Sequence, residues 1–180
     1  MTPRPFTAAL VLAFLVPPLT VVSADSAAGI RWTAPSQWKA EAARPMRAAT
    51  YSIVPAAGDR GVAECVVNYF GPGQGGSVEA NVERWKAQIL GANGKPAAAK
   101  VTSRTVRGIR ITIVDAAGSY TGMGGPMAAA KPVSGYRLIG AIAEGPGGNV
   151  FFKLTGPEKT IATETSRFDQ LLSSIQPEQP

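Results

Sequence analysis

Side chains able to do chemistry are scarce in this chain, and the shortage is informative. There is no histidine among its 180 residues and a single cysteine, Cys65. Without histidine, the Ser–His and Cys–His nucleophile pairs, the commonest base near neutral pH and the most frequent zinc ligand are all missing. One cysteine builds neither a thiolate zinc site, nor an iron–sulfur cluster, nor an internal disulfide. Cys65 alternates with Ala63, Val67 and Tyr69 in a strand-like run, which reads as a core-facing thiol behaving as a small hydrophobe. A Ser134–Lys131 pair is a remaining nucleophile option, but it falls in a glycine-rich segment with no rigid scaffold. The 12 acidic residues form no DxD or EF-hand cluster. Glu79 and Glu83, one helical turn apart, read as a solvated face beside Arg84 and Lys86. Two carboxylates facing each other across a cleft would still allow hydrolysis, and linear spacing does not reveal such a pair. No catalytic residue, metal site or cofactor is assigned, and the primary reading is of a protein that is not an enzyme.

Binding is better served than catalysis. Gly71 to Ser77 reads G-P-G-Q-G-G-S, a spacing that mimics a P-loop but lacks the lysine that reaches the phosphates. Gly73, Gln74, Gly75, Gly76 and Ser77 could present an anion or carboxylate with backbone N–H groups at the start of the following helix. The simpler and preferred reading is that the glycines let the chain turn sharply from a strand into a capped helix. The stretch Gly118 to Ser134, rich in glycine, alanine and methionine, reads as a long loop that is either mobile or functional. Within it, Tyr120, Met123 and Met127 offer adaptable apolar contacts. These eight residues form the candidate binding surface. Trp32, Trp38 and Trp85 read as core anchors, with a sugar-stacking platform as the minority alternative.

The N-terminus supplies an address. Arg4 heads an apolar run from Ala8 to Val16, closed by Pro17-Pro18, and Val22-Ser23-Ala24 places short side chains before Asp25. That order is the layout of a secretory signal peptide, cleaved after Ala24. An uncleaved anchor is the rival reading, but spanning a bilayer takes about 20 apolar residues. Residues 1–24 are thus read as leader and 25–180 as one domain without a stable membrane span, periplasmic or secreted. Losing Arg4 reduces the 18 basic residues to 17 against 12 acids, a net charge of +5. That balance favours an acidic protein or an anionic envelope surface. Nucleic acid is not an expected partner. The densest basic cluster, Arg104, Arg107 and Arg110, reads as a solvated strand edge that resists aggregation.

The elements follow from periodicity. Strands are expected over 47–54 and 62–70, joined as an antiparallel hairpin. Ser77 caps a helix over 78–90, with Val78, Val82, Trp85 and Ile89 on one face and Gly91 as its stop. Further strands are expected over 101–106, 109–114, 136–144 and 150–155, and a final helix from Thr160 or Ala162 to Ile175. Strands, helix, antiparallel strands and a closing helix define an α+β class, an antiparallel β-sheet flanked by helices.

In that order of elements the chain resembles the PsbP-like family, which comprises extrinsic lumenal photosystem proteins and bacterial exported relatives. The resemblance rests on Pro35 to Trp38 (P-x-x-W), on Met46-Arg47-Ala48-Ala49-Thr50-Tyr51, and on the ending Phe168 to Ile175, F-x-x-L-L-x-S-I. It implies an α/β/α sandwich and carries over no catalytic or metal residue. The photosynthetic role is not carried over either, because the chain departs from the plant members in its Gly/Met stretch and its short N-terminal arm. The expected function is that of an exported, non-enzymatic accessory or binding domain docking on an envelope protein or surface. The alternatives are a histidine-independent carboxylate hydrolase or lyase, and an anion- or phospholipid-binding module.

Overall fold

A computed structural model describes residues 24–122 and 128–178. The main sheet has eight antiparallel strands: β3 (Lys39–Ala40), β4 (Arg47–Ile53), β5 (Ala63–Asn68), β6 (Ile89–Leu90), β7 (Ala99–Val106), β8 (Ile109–Gly122), β9 (Ala128–Gly145) and β10 (Gly148–Pro157). Their spatial order is β3-β4-β5-β10-β9-β8-β6, and β7 also pairs with β8. Thus β6 and β7 share one edge of β8, β7 along Ile109–Ala116 and β6 at Ser119–Tyr120. A small second sheet joins β1 (Ala24–Ala27), β2 (Ile30–Thr33) and β11 (Gln176–Pro177).

Two helices cover opposite faces of the main sheet. Period-2 alternation along β10 sends Val150, Phe152 and Leu154 to one face and Phe151 and Lys153 to the other. The first set packs under α2 (Glu158–Ser174) and the small sheet, with Ile30, Trp32, Trp38, Tyr51, Cys65, Ile161, Phe168 and Leu171. The second face carries α1 (Val78–Lys86), whose Val82 and Trp85 meet Val114, Leu138, Ile142 and Phe151. All three tryptophans are buried. This is an α+β protein with helices on both faces of an antiparallel sheet.

Several boundaries differ from the sequence expectation. The stretch read as a loop over 118–134 is mostly strand: β8 continues to Gly122 and β9 begins at Ala128. Its alternation is hidden by small residues, and the register shifts between Gly118 and Tyr120 and again before Gly122. The loop reading is therefore corrected at 118–122 and 128–134, and residues 123–127 lie outside the described residues. The helix expected to reach Leu90 ends at Lys86, because Ile89 and Leu90 pair with Tyr120 and Ser119 instead. Tertiary pairing overrides helical periodicity there. Strand β10 also runs on through Gly156 and Pro157, and α2 starts at Glu158 rather than at Thr160 or Ala162.

Candidate functional site

The face under α1 is only partly covered, and the uncovered part holds a groove. Its position is set by the fit of α1 and the glycine-rich turn before it. Ser77 caps α1 as expected, its Oγ accepting from Ala80 N at 3.2 Å. The buried amide of Asn81 donates to the carbonyls of Gly75 and Ser77, both at 2.8 Å, and so fastens the turn to the helix. Gly75 has φ +88° and lies against two rings: a Cβ there would meet Phe151 Cε2 at 2.7 Å and Phe70 Cδ2 at 2.8 Å. Glycine is required at that position for both reasons.

Phe70 and Phe151 pack with ring centroids 5.6 Å apart, and Trp85 meets Phe151 edge-on at 6.5 Å. These rings wall a groove of about 390 Å³. Arg47 from β4, Arg84 from α1 and Lys153 from β10 line the same groove, with Met46, Asn68 and Gln88 completing the polar and rim positions. Lys153 is 9% exposed, and its Nζ donates to the Tyr120 hydroxyl at 3.3 Å. The ammonium also lies 5.8 Å from the centroid of the Tyr120 ring, which stacks on Tyr136 at 5.9 Å.

Burial pushes the Lys153 ammonium down from the ordinary lysine range to about 8. Arg47 and Arg84 push the same way, and the Glu64 carboxylate opposes them. Burial also raises the Tyr120 phenol, with Glu64 and Tyr136 adding to the effect. Glu64 stands 3.7 Å from Arg47, whose Nη1 also reaches Thr50 Oγ1 at 3.4 Å. Arg84 bonds the side-chain oxygen of Asn81 rather than an acid.

A larger hollow of about 590 Å³ lies between α1 and the β7–β8 edge. It is lined by Glu79, Glu83, Arg110 and Glu144, all exposed, and Arg110 stands 3.5 Å from Glu144. Exposed charges of this kind are screened and individually weak. The smaller groove is the better candidate because its central cation is desolvated. Among the described residues, no group of three or more His, Cys, Asp or Glu is placed to hold a metal ion.

The sequence-expected binding residues distribute as follows. Gly73, Gln74, Gly76 and Ser77 are exposed in the turn before α1, and Gly75 is part-buried there. Tyr120 lies within β8 rather than in a loop. Met123 and Met127 lie outside the described residues. Gly75 touches Phe70 and Phe151, and Tyr120 touches Lys153, so the two regions both reach side chains that line one groove. Arg47, Arg84 and Lys153 were missed by sequence reasoning. The available signal was Lys153 itself, a lone charge in the apolar run Val150 to Leu154. The more conspicuous arginine cluster serves the fold instead. Arg104 Nη1 donates to Asp169 at 2.7 Å, and Arg107 Nη1 to the Ser173 and Ile175 carbonyls at 2.7 and 3.1 Å, at the end of α2.

No protein-family model and no curated protein sequence matches the chain. Among solved structures it is similar to the solution structure of the cyanobacterial PsbP protein (CyanoP) of Synechocystis, at a TM-score of 0.53 and 13% identity. The match covers 91% of this chain and 98% of the other. The fold is therefore PsbP-like.

Proposed function

We propose that the chain is an exported, non-catalytic accessory domain that recognises an anionic partner through the groove beside α1. The observation that carries this reading is Lys153, a buried ammonium that bonds the Tyr120 hydroxyl rather than an acid, while Glu64, the acid that acts on it, pairs with Arg47. A desolvated charge is costly unless it is paired, so a negative group from outside would relieve a cost already built into the fold. The PsbP-like fold supports an accessory role, since the family it resembles includes extrinsic proteins of larger assemblies. Export is supported by Arg4, the Ala8–Val16 run and the small residues before Asp25. A cut after Ala24 would leave Asp25, which accepts a hydrogen bond from the Tyr51 hydroxyl, at the start of β1.

The test is expression of the whole chain with its leader, followed by mass analysis of the mature product and crosslinking in the native envelope. The expected product begins at Asp25, and partner crosslinks map to the surface around Arg47 and Arg84. Reversing both charges (Arg47→Glu with Arg84→Glu) should abolish those crosslinks. Retention in the cytosol, or crosslinks that ignore the charge reversal, would reject the reading.

A further inference from the structure

We infer that the groove binds an organic carboxylate with an apolar body, its carboxylate against Lys153, Arg84 and Arg47 and its apolar part against Phe70, Trp85 and Phe151. This rests on the groove being the binding site proposed above. The charge balance of the groove calls for an anion. Every Asp and Glu of the chain lies within the described residues, yet none lines the groove; Glu64, 3.7 Å from Arg47, is the acid that acts on Lys153. Three cations thus line a groove that has no carboxylate in its walls. Gln88 is a second incomplete group: it is 6% exposed, lines the groove, and leaves its buried Oε1 without a donor.

The walls and the rim call for an apolar body. Phe151 and Trp85 are almost fully buried, and Phe70 is part-buried beside them. Met46 stands at the rim, 69% exposed, on a backbone with φ +62°. A bulky residue in the left-handed region is uncommon. Asn68 Nδ2 holds Met46 there by donating to its carbonyl at 2.8 Å. A strained backbone that keeps a pliable thioether in solvent beside an apolar groove suits contact with a ligand. The groove volume falls in the range of small-molecule sites, roughly 300–1,000 Å³. Walls this apolar favour a monoanion over a phosphate dianion, whose desolvation costs more. A planar carboxylate also matches the guanidinium fork.

The experiment is titration of the mature chain with 3-phenylpropionate, 3-phenylpropan-1-ol and inorganic phosphate, followed by amide chemical shifts and tryptophan fluorescence. The carboxylate should saturate one site, bind about ten-fold tighter than the alcohol or phosphate, and shift the amides around Lys153 and Arg84. Lys153→Met and Arg84→Gln should each weaken it about five-fold or more, whereas Arg110→Gln, in the other hollow, should not. Equal binding of the alcohol would show a merely apolar pocket, and equal binding of phosphate a bare anion site; either overturns the inference. So would indifference to Lys153→Met, a variant that removes a buried charge and keeps the fold. If 3-phenylpropionate fails while partner crosslinks still map to the groove, the carboxylate inference falls and the docking reading stands. If it binds while charge reversal leaves the crosslinks unchanged, the docking reading falls instead.

Discussion

The six-membered ring of Trp85 rests directly on the backbone of Gly140. A methyl group on Gly140 would overlap Cε3 and Cζ3 of that ring and lie 2.9 Å from Cδ2. The central strand β9 lacks a side chain where α1 needs to approach, and this contact fixes the height of α1 over the sheet. Arg84 belongs to the same helix, so the depth of the groove depends on a residue outside it. Gly140→Ala should destabilise the protein by about 1–3 kcal/mol through overpacking. It should also red-shift tryptophan emission and weaken ligand binding at the groove. Combining it with Trp85→Leu should recover part of the loss, and a chemical denaturation series of the four proteins measures the coupling.

Lys153 makes stability depend on pH with a definite sign. Its folded-state value of about 8 lies below the ordinary lysine value near 10.4. Between those limits the unfolded chain binds more protons than the folded one, so stability rises with pH across the window. Below about pH 8 the full cost of the buried charge is present, on the order of 3 kcal/mol. The groups facing this ammonium are Arg47 on β4, Glu64 on β5, Arg84 on α1 and Tyr120 on β8. Lys153→Met should therefore raise the melting temperature at neutral pH, and its advantage should shrink steadily from about pH 8 upward. A constant advantage across that range, measured by thermal melts, would show that Lys153 is not the titrating group.

Cys65 is fully buried, flanked in the sheet by Tyr51 and Leu154, and burial pushes its thiol far above the ordinary range. Because the thiolate is the reactive form, the folded protein should not react with a chromogenic disulfide reagent near pH 8, whereas the denatured chain should release one equivalent. Cys65→Ser places a hydroxyl with no partner in the core and should cost about 1–3 kcal/mol.

Much of the fold was legible because it rests on local pattern. The alternation over 109–114, the Val78–Trp85 periodicity and Ser77 as cap each encode their element within a few residues. Legibility failed where the partner is distant. Ile89 and Leu90 satisfy helical spacing, yet Ser119 and Tyr120 claim them for a strand. The groove was harder still. Arg47, Arg84 and Lys153 lie on three elements, and no linear spacing brings them together. The flanking regions were visible through Gly75 and Tyr120, but the charge between them was not.

The start of α2 shows the same limit at a single residue. Pro157 occupies its N-cap position and provides no side-chain acceptor, so the cap comes from elsewhere in the chain. The acceptor is Asp59, 101 residues earlier, whose Oδ2 receives the Thr160 backbone N–H at 2.8 Å and the Thr160 hydroxyl at 2.6 Å. Thr160 Oγ1 in turn accepts from Ala56 N at 2.9 Å, tying the β4–β5 turn to the helix. A carboxylate there also meets the positive end of the helix dipole. Asp59→Ala should cost about 0.5–2 kcal/mol, and Asp59→Asn less, because the amide oxygen still accepts while the charge is lost. Hydrogen exchange should locate the effect, with faster exchange confined to the first turn of α2 and the 55–60 turn. A uniform change across the sheet would instead mean that Asp59 supports the whole fold rather than this cap.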